Sequence, residues 1–266
     1  MVPHGHQRPE PPAEEALFSS RLDHERNVLL CQGDPAPLRR DLELHLLSIG
    51  VVHDPLTMTL LGDGLAALAL YMSSRPRFET MGWTISLQDP LLNLFFTGSV
   101  REGTVVGRAF RENVRPSRRN RFFAQVSRPF GESQTSSVEV DGIDIFGIVE
   151  EYCSRSDQQP TRFFHDDLGR AALLAVLPDG DLEWFQAVRS REVFSLEEKA
   201  GVKLIGRHAV TFLCGCDADR ITRTVVELFR KDPEDLFRRE PSVEVECNRC
   251  GARYSITREA FERTAG

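Results

Sequence analysis

Hydrophobic positions along this chain follow first a helical period and then a strand period. Two apolar segments, residues 38–49 and 56–72, are predicted to be helices. The second is predicted to be a buried helix because it carries small residues that allow close packing: Gly62, Gly64, Ala66, Ala67 and Ala69. The segment before them, residues 16–31, is predicted to be a helix or a helix that leads into a strand.

Alternation of apolar and polar residues then indicates a series of strands. Turn residues separate them, for example Asp89-Pro90 and Asp141-Gly142, which is typical of a meander. The predicted strands are residues 78–88, 91–97, 103–110, 122–126 and 136–140. A helical period returns at residues 144–153. The pattern therefore predicts an α+β fold with a mixed, mostly antiparallel sheet and helices packed against it.

Four of the six cysteines lie in two short motifs, Cys214-Gly-Cys216 and Cys247-Asn-Arg-Cys250. In extended chain a Cys-x-Cys segment places both side chains on one face, and Gly251 allows the Cys-x-x-Cys turn to close with a positive φ. Four thiolates favour tetrahedral zinc. We therefore predict that these four cysteines are zinc ligands.

Two alternatives to zinc are a pair of disulfides and ordinary buried cysteines. Disulfides need an oxidising compartment, and residues 1–20 contain no apolar segment of the kind a signal peptide has. The spacing leaves open whether the zinc is only structural or also a redox target, because thiolates are what oxidants attack. The remaining cysteines, Cys31 and Cys153, are predicted to be buried in the core.

The sequence around the two motifs predicts a small folded unit. Residues 221–230 form an amphipathic pattern, and Asp232-Pro233 is an N-cap with proline at the first helical position. A hairpin of residues 243–247 and 252–256 follows, and then a last helix with Phe261 facing inward. Such a unit has little core, so its folding is expected to depend on the metal.

Composition and charge exclude several functions. The formal net charge of −7 over 266 residues argues against general nucleic-acid binding, and no apolar segment approaches the roughly 20 residues of a membrane span. The basic cluster at residues 115–121 is predicted to be a solvated loop without an aromatic platform. No phosphate-binding glycine loop or catalytic constellation is present, so we predict a cytoplasmic protein that is not an enzyme.

Three segments resemble a known family. Residues 149–163, VEEYCSRSDQQPTRF, resemble the signature of the 33-kDa heat-shock protein family of redox-regulated chaperones. Residues 83–94 look like the sheet hairpin of that family, and thirty residues separate Cys216 from Cys247, about as in its zinc domain. The resemblance covers roughly residues 61–261.

The resemblance implies an ATP-independent holdase chaperone that binds unfolding or oxidatively damaged client proteins under stress. In the family, oxidation converts the four zinc-bound thiolates into two disulfides, here by analogy Cys214–Cys216 and Cys247–Cys250, with release of zinc. A homodimer is a candidate for the oxidised form. The residues leave open an alternative, a zinc-ribbon interaction or nucleic-acid adaptor whose metal is purely structural.

The predicted domain organisation has four parts. Residues 1–14 are expected to be a disordered tail, 15–180 the N-terminal chaperone core, 181–210 a helical linker and 211–266 a small α/β zinc-binding redox-switch domain. The linker is shorter than the family usually has. After zinc loss, the family's linker also unfolds. A shortened linker is expected to weaken this step, so that activity is constitutive or is controlled by the zinc domain alone.

Overall fold

The structure, a computed structural model, describes residues 15–112 and 114–265. The predicted disordered tail lies outside the described residues. The strands are β1 Ala16–Asp23, β2 Val28–Gly33, β3 Thr80–Gln88, β4 Leu91–Ser99, β5 Thr104–Phe110, β6 Asn120–Ser127, β7 Gln134–Val140, β8 Thr161–His165, β9 Ala171–Val176, β10 Val202–Phe212, β11 Ser242–Glu246 and β12 Arg253–Thr257. The helices are α1 Ala36–Ser48, α2 Pro55–Ser73, α3 Ile145–Arg155, α4 Leu182–Ala187, α5 Ser190–Ser195, α6 Ala218–Phe229, α7 Pro233–Phe237 and α8 Arg258–Ala265.

Ten strands form one large sheet in the order β7-β6-β3-β4-β5-β10-β1-β2-β9-β8. Neighbouring strands are antiparallel except β5 and β10, which pair in parallel over a short register. Strands β11 and β12 form a separate antiparallel pair. The predicted α+β class with a mixed, mostly antiparallel sheet is confirmed.

The five predicted strands are present as β3 to β7, but they form one continuous meander only in part, because β6 pairs with β3 and not with β5. Along β3 the residues Trp83, Ile85 and Leu87 are fully buried, and the residues between them are partly exposed. Trp83 lies opposite Phe96 of β4 and Ala124 of β6, so one face of the sheet carries a continuous apolar layer. The alternation that was visible in the sequence therefore reports a sheet with one buried face.

Residues 16–31 were predicted to be a helix or a helix that leads into a strand. The helical part is wrong, because the segment forms the β1–β2 hairpin, and only the strand at its end is present, as β2. Strand β1 pairs with β10, and β2 pairs with β9. Residues Val28 to Gln32 of β2 are all buried, so the strand shows no alternation that would distinguish it from a buried helix. Strands β8, β9 and β10 were not predicted either.

Helix α2 packs against the sheet at the centre of the core. A Cβ atom at Gly64 would lie 2.0 Å from Cζ of Phe96, so the close approach requires glycine. The helix has 19 residues with a mean hydropathy of 1.3, long and apolar enough to cross a membrane, which corrects the expectation that no such segment exists. Its apolar window is 78% buried inside the fold, and the predicted buried helix is confirmed.

The segment that carries the family resemblance connects the core helices to the sheet. Glu150 of α3 accepts a hydrogen bond from the backbone N–H of Phe163 in β8, at 2.6 Å. Beyond the end of α3, Asp157 accepts a hydrogen bond from the hydroxyl of Tyr71 in α2, at 2.5 Å. This stretch therefore ties α2, α3 and β8 together.

Residues 181–210, predicted as the linker, lie along and within the large sheet. Helices α4 and α5 contribute Phe185, Val193 and Phe194 to an apolar cluster with β2, β8 and β9. Strand β10 lies between β5 and β1, so it joins the two halves of the sheet. The proposed domain boundaries stay a prediction.

The end of the chain folds as the sequence predicts. Helix α6, the β11–β12 hairpin and helix α8 enclose a small apolar cluster: Val225, Val226, Phe237, Ile256 and Phe261. Asp232 caps α7 by accepting a hydrogen bond from the backbone N–H of Asp235, at 3.3 Å. The residues from Cys214 to Ala265 are called the C-terminal unit below.

Candidate metal centre

The structure brings the four predicted cysteines together. Cys214 and Cys216 follow the end of β10, and Cys247 and Cys250 lie in the turn between β11 and β12. Gly215 has a φ of +65°, a left-handed conformation, which corrects the expectation of extended chain there. The two motifs come together, each contributing two sulfurs.

The sulfur positions suit a tetrahedral metal. All four Sγ atoms lie within 4.8 Å of one another. The Sγ atoms of Cys214 and Cys247 are 3.6 Å apart, and those of Cys216 and Cys250 are 3.5 Å apart. Four sulfurs at about 2.3 Å from a zinc ion stand roughly 3.8 Å apart, so these donors fit the ion and could hold it.

The backbone of the second turn keeps its sulfurs in place. The N–H of Gly251 donates to the carbonyl of Cys247, and the N–H of Cys247 donates to the carbonyl of Ala252, both at 2.8 Å. Gly251 has the predicted positive φ, +81°. The turn is therefore closed by its own hydrogen bonds, in the left-handed conformation that glycine adopts without strain.

Contacts among the thiols favour partial ionisation of the cluster. Hydrogen bonds, first with Cys214, lower the pKa of Cys216 to about 7, and hydrogen bonds with the same residue lower the pKa of Cys247. The pKa of Cys214 and of Cys250 is raised because these thiols act as donors to their neighbours. The hydrogen bonds among the thiols therefore favour the thiolate at Cys216 and Cys247, the form that binds metals and reacts with oxidants.

Within the C-terminal unit, two further side chains that the sequence patterns did not indicate contact the cluster. The hydroxyl of Tyr254 lies 3.1 Å from Sγ of Cys216 and donates to the carbonyl of the same residue at 3.0 Å. Arg249, between the cysteines of the second motif, donates to the carbonyl of Cys214 at 3.2 Å. The only sequence signal for them is their place within or just after the second motif.

A comparison with protein families decides the relationship. The model of the Hsp33 protein family matches residues 52–257 of this chain. The chain belongs to the Hsp33 family. The match includes strands β3 to β7, the segment at residues 149–163 and all four clustered cysteines, so the resemblance read from the sequence is confirmed.

Individual relatives agree with the family assignment. The 33 kDa chaperonin of Shewanella frigidimarina is 28% identical over 147 residues, 47% of this chain and 51% of the relative. That of Vibrio cholerae is 29% identical over 151 residues, 47% and 52% of the two chains. The chain thus spans about half the length of the curated relatives it matches.

A solved structure has the same fold. The crystal structure of the 33 kDa chaperonin from Thermotoga maritima superposes with a TM-score of 0.70 and covers 95% of this chain and 98% of that one. The sequence identity is 18%, so the likeness concerns the fold.

The basic cluster at residues 115–121 runs into the start of β6, which β3 and β4 separate from β5 in the sheet. Arg119 and Arg121 form ion pairs with Glu139 of β7, at 3.5 and 3.0 Å. The guanidinium of Arg121 also lies 5.9 Å from the ring of Phe123, which corrects the expectation that no aromatic side chain accompanies the arginines. Glu139 neutralises part of the charge that a nucleic-acid adaptor would use.

The two remaining cysteines are buried, as predicted. Burial raises the pKa of Cys153 to about 12 and raises that of Cys31 well above its ordinary value. Thiolate forms only as the pH approaches these pKa values, so both thiols are in their unreactive form at pH 8.

We therefore expect iodoacetamide at pH 8 to alkylate four thiols after zinc is removed by a chelator, and six only in denaturant. Mass spectrometry of the intact chain and of its peptides counts and locates the adducts. Alkylation of Cys31 or Cys153 in the folded protein would contradict this prediction.

Proposed function

We propose that this protein is an ATP-independent holdase chaperone that binds unfolding or oxidatively damaged proteins and is activated by oxidation. Cys214, Cys216, Cys247 and Cys250 hold zinc in the reduced form. The observation that carries the proposal is the convergence of these four thiols in a chain that belongs to the Hsp33 family. A reducing cytoplasm, where such thiolates keep their metal, is the setting we propose.

Oxidation removes the metal ligands. We propose that disulfides form between Cys214 and Cys216 and between Cys247 and Cys250. Each disulfide forms as two thiolates lose two electrons, and hydrogen peroxide accepts them as it is reduced to water. Sulfurs joined in disulfides cannot ligate zinc, so the C-terminal unit loses its central cross-link.

Loss of the cross-link exposes apolar surface. Partly buried apolar residues of the C-terminal unit, including Ala252 and Tyr254, pack against the main core cluster, which contains Phe212 of β10. Unfolding of the unit uncovers these contacts. Exposed apolar surface of this kind binds the apolar segments of unfolding proteins without a nucleotide. Strand β10 ends at Phe212, two residues before Cys214, so the chain passes from the large sheet straight into the metal centre.

The test combines zinc release with client protection. Reduced, zinc-loaded protein is treated with hydrogen peroxide or hypochlorous acid, and released zinc is followed with a chromogenic chelator. Light scattering of a heat-unfolding client enzyme, with no ATP present, reports chaperone activity. We expect zinc release and suppressed scattering to rise together and to be reversed by dithiothreitol.

Each other outcome has a defined meaning. Zinc release without suppressed scattering contradicts the switch. Retained zinc with suppressed scattering indicates a constitutive chaperone, and retained zinc without suppression indicates the adaptor function. Proteolysis between Cys216 and Cys247 tests the pairing, because the two motifs separate if each is paired within itself and stay linked otherwise. Light scattering during size-exclusion chromatography tests for an oxidised homodimer.

A further inference from the structure

Side chains of the large core reach the backbone of the cysteine motifs. Arg108 of β5 donates from Nη1 to the carbonyl oxygen of Cys247, at 2.9 Å. His45 of α1 lies with Nε2 2.8 Å from the carbonyl oxygen of Cys250. A carbonyl only accepts, so Nε2 of His45 carries the proton. Both cysteines of the second motif are therefore held by residues that lie 139 and 205 positions away in sequence.

In a third contact the donor belongs to the cysteine motif and the acceptor to the core. Arg249, in the second motif, donates from Nε and Nη2 to Oγ1 of Thr97 in β4, at 3.1 and 2.8 Å. The same guanidinium donates from Nη1 to the carbonyl of Cys214. One side chain therefore joins the sheet to both cysteine motifs.

The hydrogen bonds to the two cysteine carbonyls are at least partly buried. The side chain of Arg108 is 18% exposed, its guanidinium lies 4.4 Å from the ring of Phe110, and its Nη2 forms an ion pair with Glu246 at 2.5 Å. His45 is buried. A Cβ atom at Gly251 would lie 3.4 Å from Nε of Arg108, so a side chain added to the turn would contact the guanidinium. Hydrogen bonds in such surroundings hold geometry better than exposed ones, because water does not compete for them.

We propose that Arg108 and His45 are positioning residues of the metal centre, through which the core sets how tightly zinc is held and how readily the thiols are oxidised. This inference rests on the proposed function, since it requires that the four cysteines hold zinc. The two side chains fix the carbonyls of Cys247 and Cys250 and thereby the direction of both sulfurs. Residues that orient the ligands of a metal in this way change its affinity without touching it.

The coupling acts in both directions. If contact with the core strengthens zinc binding, zinc binding strengthens contact with the core by the same factor. Loss of zinc therefore weakens the hydrogen bonds from Arg108 and His45 and loosens the C-terminal unit from the sheet. The metal centre and its contacts with the core therefore share two states: zinc bound with the C-terminal unit docked on the sheet, and zinc lost with the unit loosened.

The test measures zinc transfer from the reduced full-length protein to a chromogenic chelator. We expect Arg108→Gln to release zinc roughly 10- to 100-fold faster than wild type, the range over which ligand-orienting residues affect metal affinity. Arg108→Lys retains the charge and one donor, so an intermediate rate is expected. The rate of peroxide-induced zinc release should change in the same order.

The matched control is Arg121→Gln. Arg121 is also a sheet arginine that lies over a phenylalanine ring and pairs with a glutamate, but it does not touch the cysteine motifs. Its release rate should equal that of wild type. Glu246→Gln separates two roles of Arg108, because it removes the ion pair and leaves the donor to Cys247. A smaller effect for Glu246→Gln than for Arg108→Gln is expected.

The outcomes distinguish this inference from the proposed function. Wild-type zinc release and client protection together with unchanged release in Arg108→Gln, Arg108→Lys and His45→Phe would overturn the inference and leave the function standing. Wild-type protein that holds no zinc would overturn both. Circular dichroism establishes that each variant retains a cooperative core transition, and Arg108→Lys serves as the decisive variant if Arg108→Gln does not fold.

Discussion

Replacing Cys250 with serine is expected to abolish zinc binding and unfold the C-terminal unit. A hydroxyl is a poor zinc ligand, and zinc binding to small domains contributes on the order of 10 kcal/mol to their folding. The unit has few buried apolar side chains to compensate: Val225, Val226, Phe237, Ile256 and Phe261. Without the metal, the conformational entropy of about fifty ordered residues exceeds what this cluster contributes.

Two measurements check the expected unfolding of the C-terminal unit. Zinc content is determined after gel filtration, and hydrogen exchange locates the loss of structure. We expect exchange protection to fall throughout α6, β11, β12 and α8 and to persist in β3 and β4. Wild-type protein treated with a chelator should give the same pattern.

Cys153→Ala provides the matched control for this variant. Cys153 is a buried thiol of α3 that lies outside the cysteine cluster. This variant should keep its zinc and its C-terminal protection, and only the stability of the core should fall slightly. Persistent protection of α6 and α8 in Cys250→Ser would show that the unit folds without its metal.

Replacing Trp83 with alanine is expected to lower the free energy of unfolding by about 3–5 kcal/mol, the usual cost of deleting a large buried aromatic side chain. Trp83 is fully buried in β3, and its ring lies 5.2 Å from that of Tyr71 and 5.3 Å from that of Phe122. The truncation opens a cavity between the sheet and α2. Guanidinium denaturation followed by far-UV circular dichroism measures the change.

Trp83→Phe is the informative companion. The indole Nε1 of Trp83 is buried and has no hydrogen-bond partner within the described residues. Phenylalanine removes this unsatisfied donor, which offsets part of the lost packing. We expect a cost below about 1.5 kcal/mol. If Trp83→Phe costs nearly as much as Trp83→Ala, the packing of the whole two-ring indole, and not side-chain bulk alone, determines the loss of stability.

Local patterns of the sequence determined much of this protein. Alternation located β3 and the first part of β4 because these segments have one buried face and one partly exposed face. The small residues of α2 predicted a buried helix, and Gly64 does lie against Phe96. The Cys-x-Cys and Cys-x-x-Cys motifs identified the four thiols that converge, because short spacing leaves few ways to place two sulfurs.

Only the tertiary structure decided the rest. Strand β2 is buried throughout, and β1 pairs with β10 from the other end of the core, with Ala16 opposite Val210. Such strands are defined by partners more than a hundred residues away in sequence, and nothing in a local window reports them. Arg108 and His45 likewise look like ordinary residues of β5 and α1 until the fold places them at the cysteine carbonyls. Periodicity records whether a side chain faces solvent or core, whereas which residues meet depends on contacts that form only when the whole chain has folded.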